Sequence, residues 1–122
     1  MPQTSQIKFI DDLINIVPDL RTLLAEHRAD NAGELLFHVF LGEVVSWLIN
    51  IYITHENDRD VLHLIKDVID YVEFAFVRGD DATQELIAVS FVENLPSTGE
   101  PGASLRQFLG PKLEEQYRRL NW

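Results

Sequence analysis

ELLFHVFLGEVVSWLINIYI, residues 34–53, decides how the rest of the chain is read. Wound as a helix, it is apolar almost all round, with only a narrow polar stripe of Glu43, Ser46 and Asn50. A surface helix shows one apolar face, so an apolar circumference predicts a central helix contacted from several sides. Phe40, Val44, Trp47 and Ile51 are expected to be largely buried. The stretch is also about as long as a membrane span. His38, Glu43, Ser46 and Asn50 interrupt it, and ionisable groups in mid-bilayer are costly. The expectation is therefore a core helix.

The flanking segments supply its neighbours. Towards the N-terminus, Phe9, Leu13 and Ile16 repeat at helical spacing, which predicts a helix over 5–17 capped by Thr4 or Ser5. Pro18 breaks it and suits the first turn of a second, short helix reaching His27. Asp30, Asn31 and Gly33 mark the turn before the central helix. Beyond that helix, residues 55–58 form a break. A fourth helix is predicted over 58–77, with Leu62, Ile65, Ile69, Val72 and Phe76 as its core stripe and Asp60, His63, Asp67 and Asp70 opposite. Gly79 is placed as a C-terminal cap, and Asp80 or Asp81 as the cap of a fifth helix over 82–94. Residues 96–102 contain two prolines and two glycines and read as a mobile surface loop, either a plain connector or a binding rim. Ser104 with Gln107 has the spacing of a capping box. Gly110 then ends the sixth helix, and Pro111 starts a last one reaching Leu120. No segment alternates with period two. The fold expected is all-α: one domain over 1–122, a compact bundle of five to seven helices.

Composition narrows the function. The 122 residues are 46% hydrophobic, enough for one core, and carry a net charge of −10. Phosphate binding needs clustered Lys and Arg, so a direct nucleic-acid ligand is not expected, nor an anionic membrane surface. A cationic protein is the natural complement. With no cysteine, disulfides and thiolate chemistry are excluded. The first residues, MPQTSQIKFIDDLINIV, carry Asp11 and Asp12 within their apolar stretch and do not resemble a signal peptide, so a cytoplasmic protein is expected. The charge is concentrated. Residues 54–100 hold 11 acidic and 3 basic side chains, a net of −8, while the remainder holds 9 and 7, a net of −2.

The motifs of common enzymes are absent: no Gly-rich phosphate loop, no GxSxG, no HExxH. Glu34 with His38, and His63 with Asp67, have i,i+4 spacing, but zinc needs three or four ligands and no partner set is evident. No catalytic residue, metal or cofactor is assigned, and binding rather than catalysis is expected. At 100° per residue, Tyr71 and Phe74 project towards the Asp67 and Asp70 side of the fourth helix. They are either interface anchors within a charged field or a second buried face. The candidate partner surface is therefore Asp60, Asp67, Asp70 and Glu73, with Asp80 and Asp81 at its edge and Tyr71 and Phe74 as anchors. Trp47 is expected in the core. For the terminal Trp122, cover of an apolar patch and disorder both stand open.

Three stretches, LLFHVFLGE (35–43), IAVSFVENL (87–95) and FLGPKL (108–113), resemble in order and spacing a family of small, acidic, all-helical bacterial proteins. That family is largely uncharacterised, and its members resemble immunity proteins of polymorphic or contact-dependent toxin systems. The resemblance spans about residues 30–115 and rests on apolar and turn positions, so it speaks to fold before mechanism. It implies an immunity, antitoxin-like protein that neutralises a cognate cationic toxin domain such as a nuclease. The alternative is a helical adaptor or regulatory subunit that binds another protein. Enzyme chemistry at an unrecognised acidic or metal site is the third class.

Overall fold

The computed structural model describes residues 2–120, so Trp122 lies outside the described residues. Six α-helices follow one another: α1 (Pro2–Ile16), α2 (Leu20–Asp30), α3 (Phe37–Thr54), α4 (Arg59–Arg78), α5 (Asp81–Ile87) and α6 (Pro111–Leu120). A π-helical turn, Ala88–Val92, continues α5, and a 3₁₀ helix, Ala103–Phe108, precedes α6. Taking α5 with its π turn as one, the bundle has seven helical segments, and no strand occurs among the described residues.

Local chemistry accounts for most of the boundaries. Pro18 and Asp19 form a turn, so α2 starts two residues later than Pro18 and ends at Asp30, beyond His27. Gly33 then adopts φ +84° and donates its N–H to the Arg28 carbonyl at 2.7 Å, closing the helix end in the left-handed manner that glycine permits. Asp58 caps α4 by accepting from the N–H groups of Asp60 and Val61. Asp80 caps α5 by accepting from the Thr83 N–H at 2.9 Å.

The core is built where α3, α4 and the α5–π segment meet. Phe40, Leu41, Val44, Val45 and Leu48 of α3 are buried there with Ile65, Val68, Ile69 and Val72 of α4. Leu86, Ile87, Phe91 and Val92 complete it. Around this centre α1 packs on α4 and α5, α2 packs on α3, and α6 packs on α4 and the π turn. Of the predicted α4 stripe, Ile65, Ile69 and Val72 are fully buried, while Leu62 and Phe76 sit half-buried at its edges.

Four details differ from the sequence reading. First, α3 is central, contacted by α1, α2, α4, α5 and the π turn, but it is not buried all round. Phe40 and Val44 are buried, but Trp47 and Ile51 are only partly so, and Val39, Ser46, Asn50 and Ile53 are exposed. The polar stripe widens into an open face because α2 and the π turn leave it uncovered. By length and composition alone α3 could cross a membrane, yet six of its side chains belong to the bundle core. Second, the Ser104–Gln107 capping box does not form. The Ser104 hydroxyl is hydrogen-bonded to the Tyr52 phenol, Gln107 donates to the same oxygen at 3.2 Å, and Gly102 at φ +84° opens the 3₁₀ helix instead. Third, Gly79 ends α4 at φ −73°, so left-handed freedom is not its role. A Cβ there would lie 2.5 Å from the Ala75 carbonyl and 2.9 Å from Thr83, so glycine allows α4 and α5 to approach. Fourth, the 96–102 loop is exposed at 97–101 but tied at its start: Pro96 is buried, and Tyr117 donates its hydroxyl to the Pro96 carbonyl at 2.8 Å.

Candidate functional site

The residues singled out from sequence divide into three groups on the folded chain. Asp67, Asp70 and Phe74 share the outward face of α4. Asp60 continues the same face two turns earlier, about 10 Å from Asp67 along the axis. Asp70 accepts an ion pair from Lys66 at 2.6 Å, whereas Asp67 points to solvent. Phe74 is 55% exposed and Val77, one turn on, 54%, so an apolar strip runs among these carboxylates. The open choice between core and surface is settled for Phe74: it lies on the surface.

Tyr71 forms the second group, with residues of α1. Its ring stacks on Phe9 with centroids 5.8 Å apart and planes 11° from parallel. Phe74 lies beside it at 6.4 Å, and the Arg78 guanidinium sits 5.3 Å over the Phe74 ring. Partial burial, reinforced by the nearby Asp12 carboxylate, pushes the Tyr71 phenol up to about 12. A groove of about 300 Å³ runs between α1 and α4, lined by Lys8, Phe9, Asp12, Tyr71, Arg78 and Asp80 among others. Lys8 pairs with Asp12 at 2.9 Å, so the groove carries both signs of charge. Asp80 closes its end, and its carboxyl is held below the usual range by the Thr83 N–H and the Ser5 hydroxyl. Asp81 is exposed in the first turn of α5.

Glu73 stands apart. It turns towards α6, where its two oxygens accept from the N–H groups of Lys112 (3.1 Å) and Leu113 (2.9 Å). It caps the positive end of α6 from a different helix. Both oxygens are therefore committed within the fold, and Glu73 is not part of the outward face. Gly110 makes this contact possible, because a Cβ there would fall 2.5 Å from the Glu73 carboxyl carbon.

Sequence reasoning did not identify Lys8, Phe9 or Asp12 as groove residues. They lie some 60 positions from Tyr71, and no local spacing signals that α1 and α4 will pair. The long-range pairs of the histidines were equally hidden. His38 turns away from Glu34 and places Nδ1 2.6 Å from the Ser90 hydroxyl in the π turn. Ser90 is buried, so this pair does not present a nucleophile to a substrate. Among the described residues, no three His, Cys, Asp or Glu side chains are arranged to hold a metal ion.

A second surface lies on the open face of α3. Trp47, Val39 and Leu23 form its apolar part, and Glu43, Ser46, Asn50 and Asn94 its polar part. Gly42 lets Asn94 lie close, since a Cβ there would be 3.3 Å from the Asn94 amide nitrogen.

No curated protein and no solved structure matches the chain. A family model does: residues 10–122 match the family described as Domain of unknown function (DUF7674), and the chain belongs to that family.

Proposed function

We propose that the chain is an immunity, antitoxin-like protein that binds and neutralises a cognate cationic toxin domain, a nuclease being the class its charge suits best. The observation that carries this reading is the exposed Phe74–Val77 strip beside Asp67 and Asp70, with Asp60 further along the same face of α4. Lys66 pairs with Asp70 and Arg78 lies over the Phe74 ring, so the face carries both signs with carboxylates in the majority. Apolar anchors beside such carboxylates are one way an interface combines affinity with fast encounter. Nuclease active sites are cationic because they hold phosphates, and a surface of net-negative carboxylates competes for the same charge. Steering between opposite charges raises association rates towards roughly 10⁸–10⁹ M⁻¹s⁻¹ at low salt. Action inside the cytoplasm, without metal or cofactor, completes the proposal. Co-expression with toxin domains encoded beside its gene tests it: the cognate domain should arrest growth alone and be tolerated with the chain present. Undiminished killing by every such domain would contradict it.

The second reading, a helical adaptor or regulatory subunit, draws on the open α3 face with its half-buried Trp47. It predicts a stable protein partner that is lost on Val39→Glu and kept on Asp67→Lys.

A further inference from the structure

Along α3, Val39, Ser46, Asn50 and Ile53 form one exposed row, and at helical spacing Glu43 and the half-buried Trp47 stand along the same side of it. Val39 is 49% exposed and Ile53 46%, so both ends of the row hold an apolar side chain in water. Glu43 is the one Asp, Glu, Lys or Arg among the 18 residues of α3. His27 of α2 holds that carboxylate, with Nδ1 3.0 Å from one of its oxygens. The Ser46 hydroxyl and the Asn50 amide face solvent, and neither has a side-chain hydrogen bond among the described residues. An opening of about 590 Å³ lies over this part of the helix.

Charge limits what can cover this row. The chain carries −10, so two copies repel each other over most of their surface. Repulsion is least where carboxylates are fewest, and the α3 row is such a place. The row also complements itself when two copies of α3 run antiparallel about a two-fold axis at Ser46. Val39 lies seven residues before Ser46 and Ile53 seven after it, so Val39 of each copy meets Ile53 of the other. Glu43 lies three before and Asn50 four after, on the same side of the row, so the Asn50 amide of each copy reaches the Glu43 carboxylate of the other. A carboxylate accepts several hydrogen bonds, so the bond to His27 leaves room for this one. Trp47, one residue from the axis, meets its own copy. The two Glu43 residues stand about 9 Å apart along the axis, whereas parallel helices would set them level. Ser46 is small, which lets the two helices cross closely at the centre.

We propose that the chain pairs with a second copy of itself through the open face of α3, the two helices antiparallel with Ser46 at the axis. The strip is about 27 Å long and one helix wide, less than the roughly 800 Å² per partner of a standard complex. The pairing is therefore weak and depends on concentration. It does not rest on the toxin reading. α3 and α4 meet through their buried sides, so the outward face of α4 stays free on the far side of each copy, and a pair offers two of them. The adaptor reading gives the α3 face to a different protein, and on that reading the chain alone stays monomeric. Salt separates the contacts as well. Screening weakens an interface between opposite charges but relieves the repulsion between two acidic copies, so pairing through α3 strengthens as salt rises.

Sedimentation equilibrium of the intact chain, from about 10 μM to about 1 mM, tests the pairing. It should show a monomer–dimer equilibrium whose association constant rises about twofold or more between about 0.05 and 0.5 M salt. Val39→Glu sets a carboxylate against the apolar Ile53 contact and should lower that constant by about tenfold or more. Cross-linking reads the register, because the chain has no cysteine of its own. With a short bis-maleimide, Ser46→Cys should link to itself readily. Val39→Cys should not, since its two copies lie about 21 Å apart along the helices, but it should link to Ile53→Cys when the two are mixed. Asp67→Cys on α4 gives the rate of chance encounter. A chain that stays monomeric at every concentration and salt, a dimer unaffected by Val39→Glu, Ser46→Cys that links no faster than Asp67→Cys, or Val39→Cys that links to itself as fast as Ser46→Cys would each overturn the proposal. If Val39→Glu fails to fold, sedimentation of the unaltered chain and the cross-links decide.

Discussion

Gly110→Ala should change the sign of its effect when Glu73 is removed. In the unaltered chain the new methyl would fall 2.5 Å from the Glu73 Cδ and 2.6 Å from its Cγ, so the carboxylate must move off the α6 N-terminus. Two hydrogen bonds go with it, those to Lys112 and Leu113. Loss of a helix N-terminal cap costs about 1 kcal/mol. Leu113 is buried and its amide meets little water, so an unsatisfied donor there adds about 1 kcal/mol. Gly110→Ala and Glu73→Ala should each destabilise by about 2 kcal/mol. Gly110 itself does not occupy the left-handed region, so alanine suits its backbone. Once Glu73 is alanine the clash is gone, and Gly110→Ala should stabilise by about 0.4–1 kcal/mol through the unfolded chain. The coupling is then about 2–3 kcal/mol, well above the error of independent sites. Urea unfolding of the four proteins reads it, since each 2 kcal/mol moves the midpoint by about 1 M at ordinary slopes. Equal costs of Gly110→Ala in both backgrounds would refute the idea that this glycine exists to admit the Glu73 cap.

Other outcomes follow from the same geometry. Gly79→Ala should cost about 1–3 kcal/mol in chemical unfolding, because the Ala75 carbonyl and Thr83 leave no room for a methyl and backbone must shift. Phe40→Ala, at a fully buried site, should cost about 3–5 kcal/mol, and Trp47→Ala clearly less because that ring is partly exposed. In ultraviolet titration one tyrosine should ionise near 12, and Tyr71→Phe should abolish that step. A phenol raised in the fold adds stability below its unfolded value of about 10, and that stability is lost as pH climbs from about 10 to 12. Asp80 and Glu114 act in the opposite sense. Their carboxyls are depressed by the Thr83 amide and by Arg106, so they add stability above the ordinary carboxylate range and lose it as pH falls below about 4. Acid unfolding should therefore begin at lower protein stability in Glu114→Gln, and Asp80→Asn should flatten the remaining pH slope.

What was legible in the sequence was local. Helical spacing and turn residues place α1, α4 and α6 to within a few residues, because each has its apolar stripe in one short window. Asp58 caps α4 from within that window, but α1 begins at Pro2, ahead of the expected Thr4 or Ser5 cap, and α6 is capped by Glu73 of α4. The apolar circumference of residues 34–53 correctly marks the central helix. It overstates burial at Trp47 and Ile51, because hydropathy does not say which side the neighbours leave open. The Ser104–Gln107 box fails for a related reason: both side chains are claimed by Tyr52, more than fifty residues away. The π turn at Ala88–Val92 has no composition signature at all. At the candidate surface, charge density pointed to Asp60, Asp67 and Asp70, and they do share a face. Glu73 has the same chemistry and nearly the same position, and only the path of α6 shows that it is spent on a cap. The α1 side of the groove depends wholly on a helix pairing that no local pattern encodes.

The central claim is that the outward face of α4 meets a cationic partner. The measurement that tests it most directly is the association rate of the cognate toxin domain with Asp67→Lys/Asp70→Lys, followed across ionic strength. Both side chains are exposed, so the variant should fold normally. The proposal predicts slower association and a shallower salt dependence than for the unaltered chain. A normally folded variant that associates at an unchanged rate, with an unchanged salt slope, would place the interface elsewhere and contradict the account.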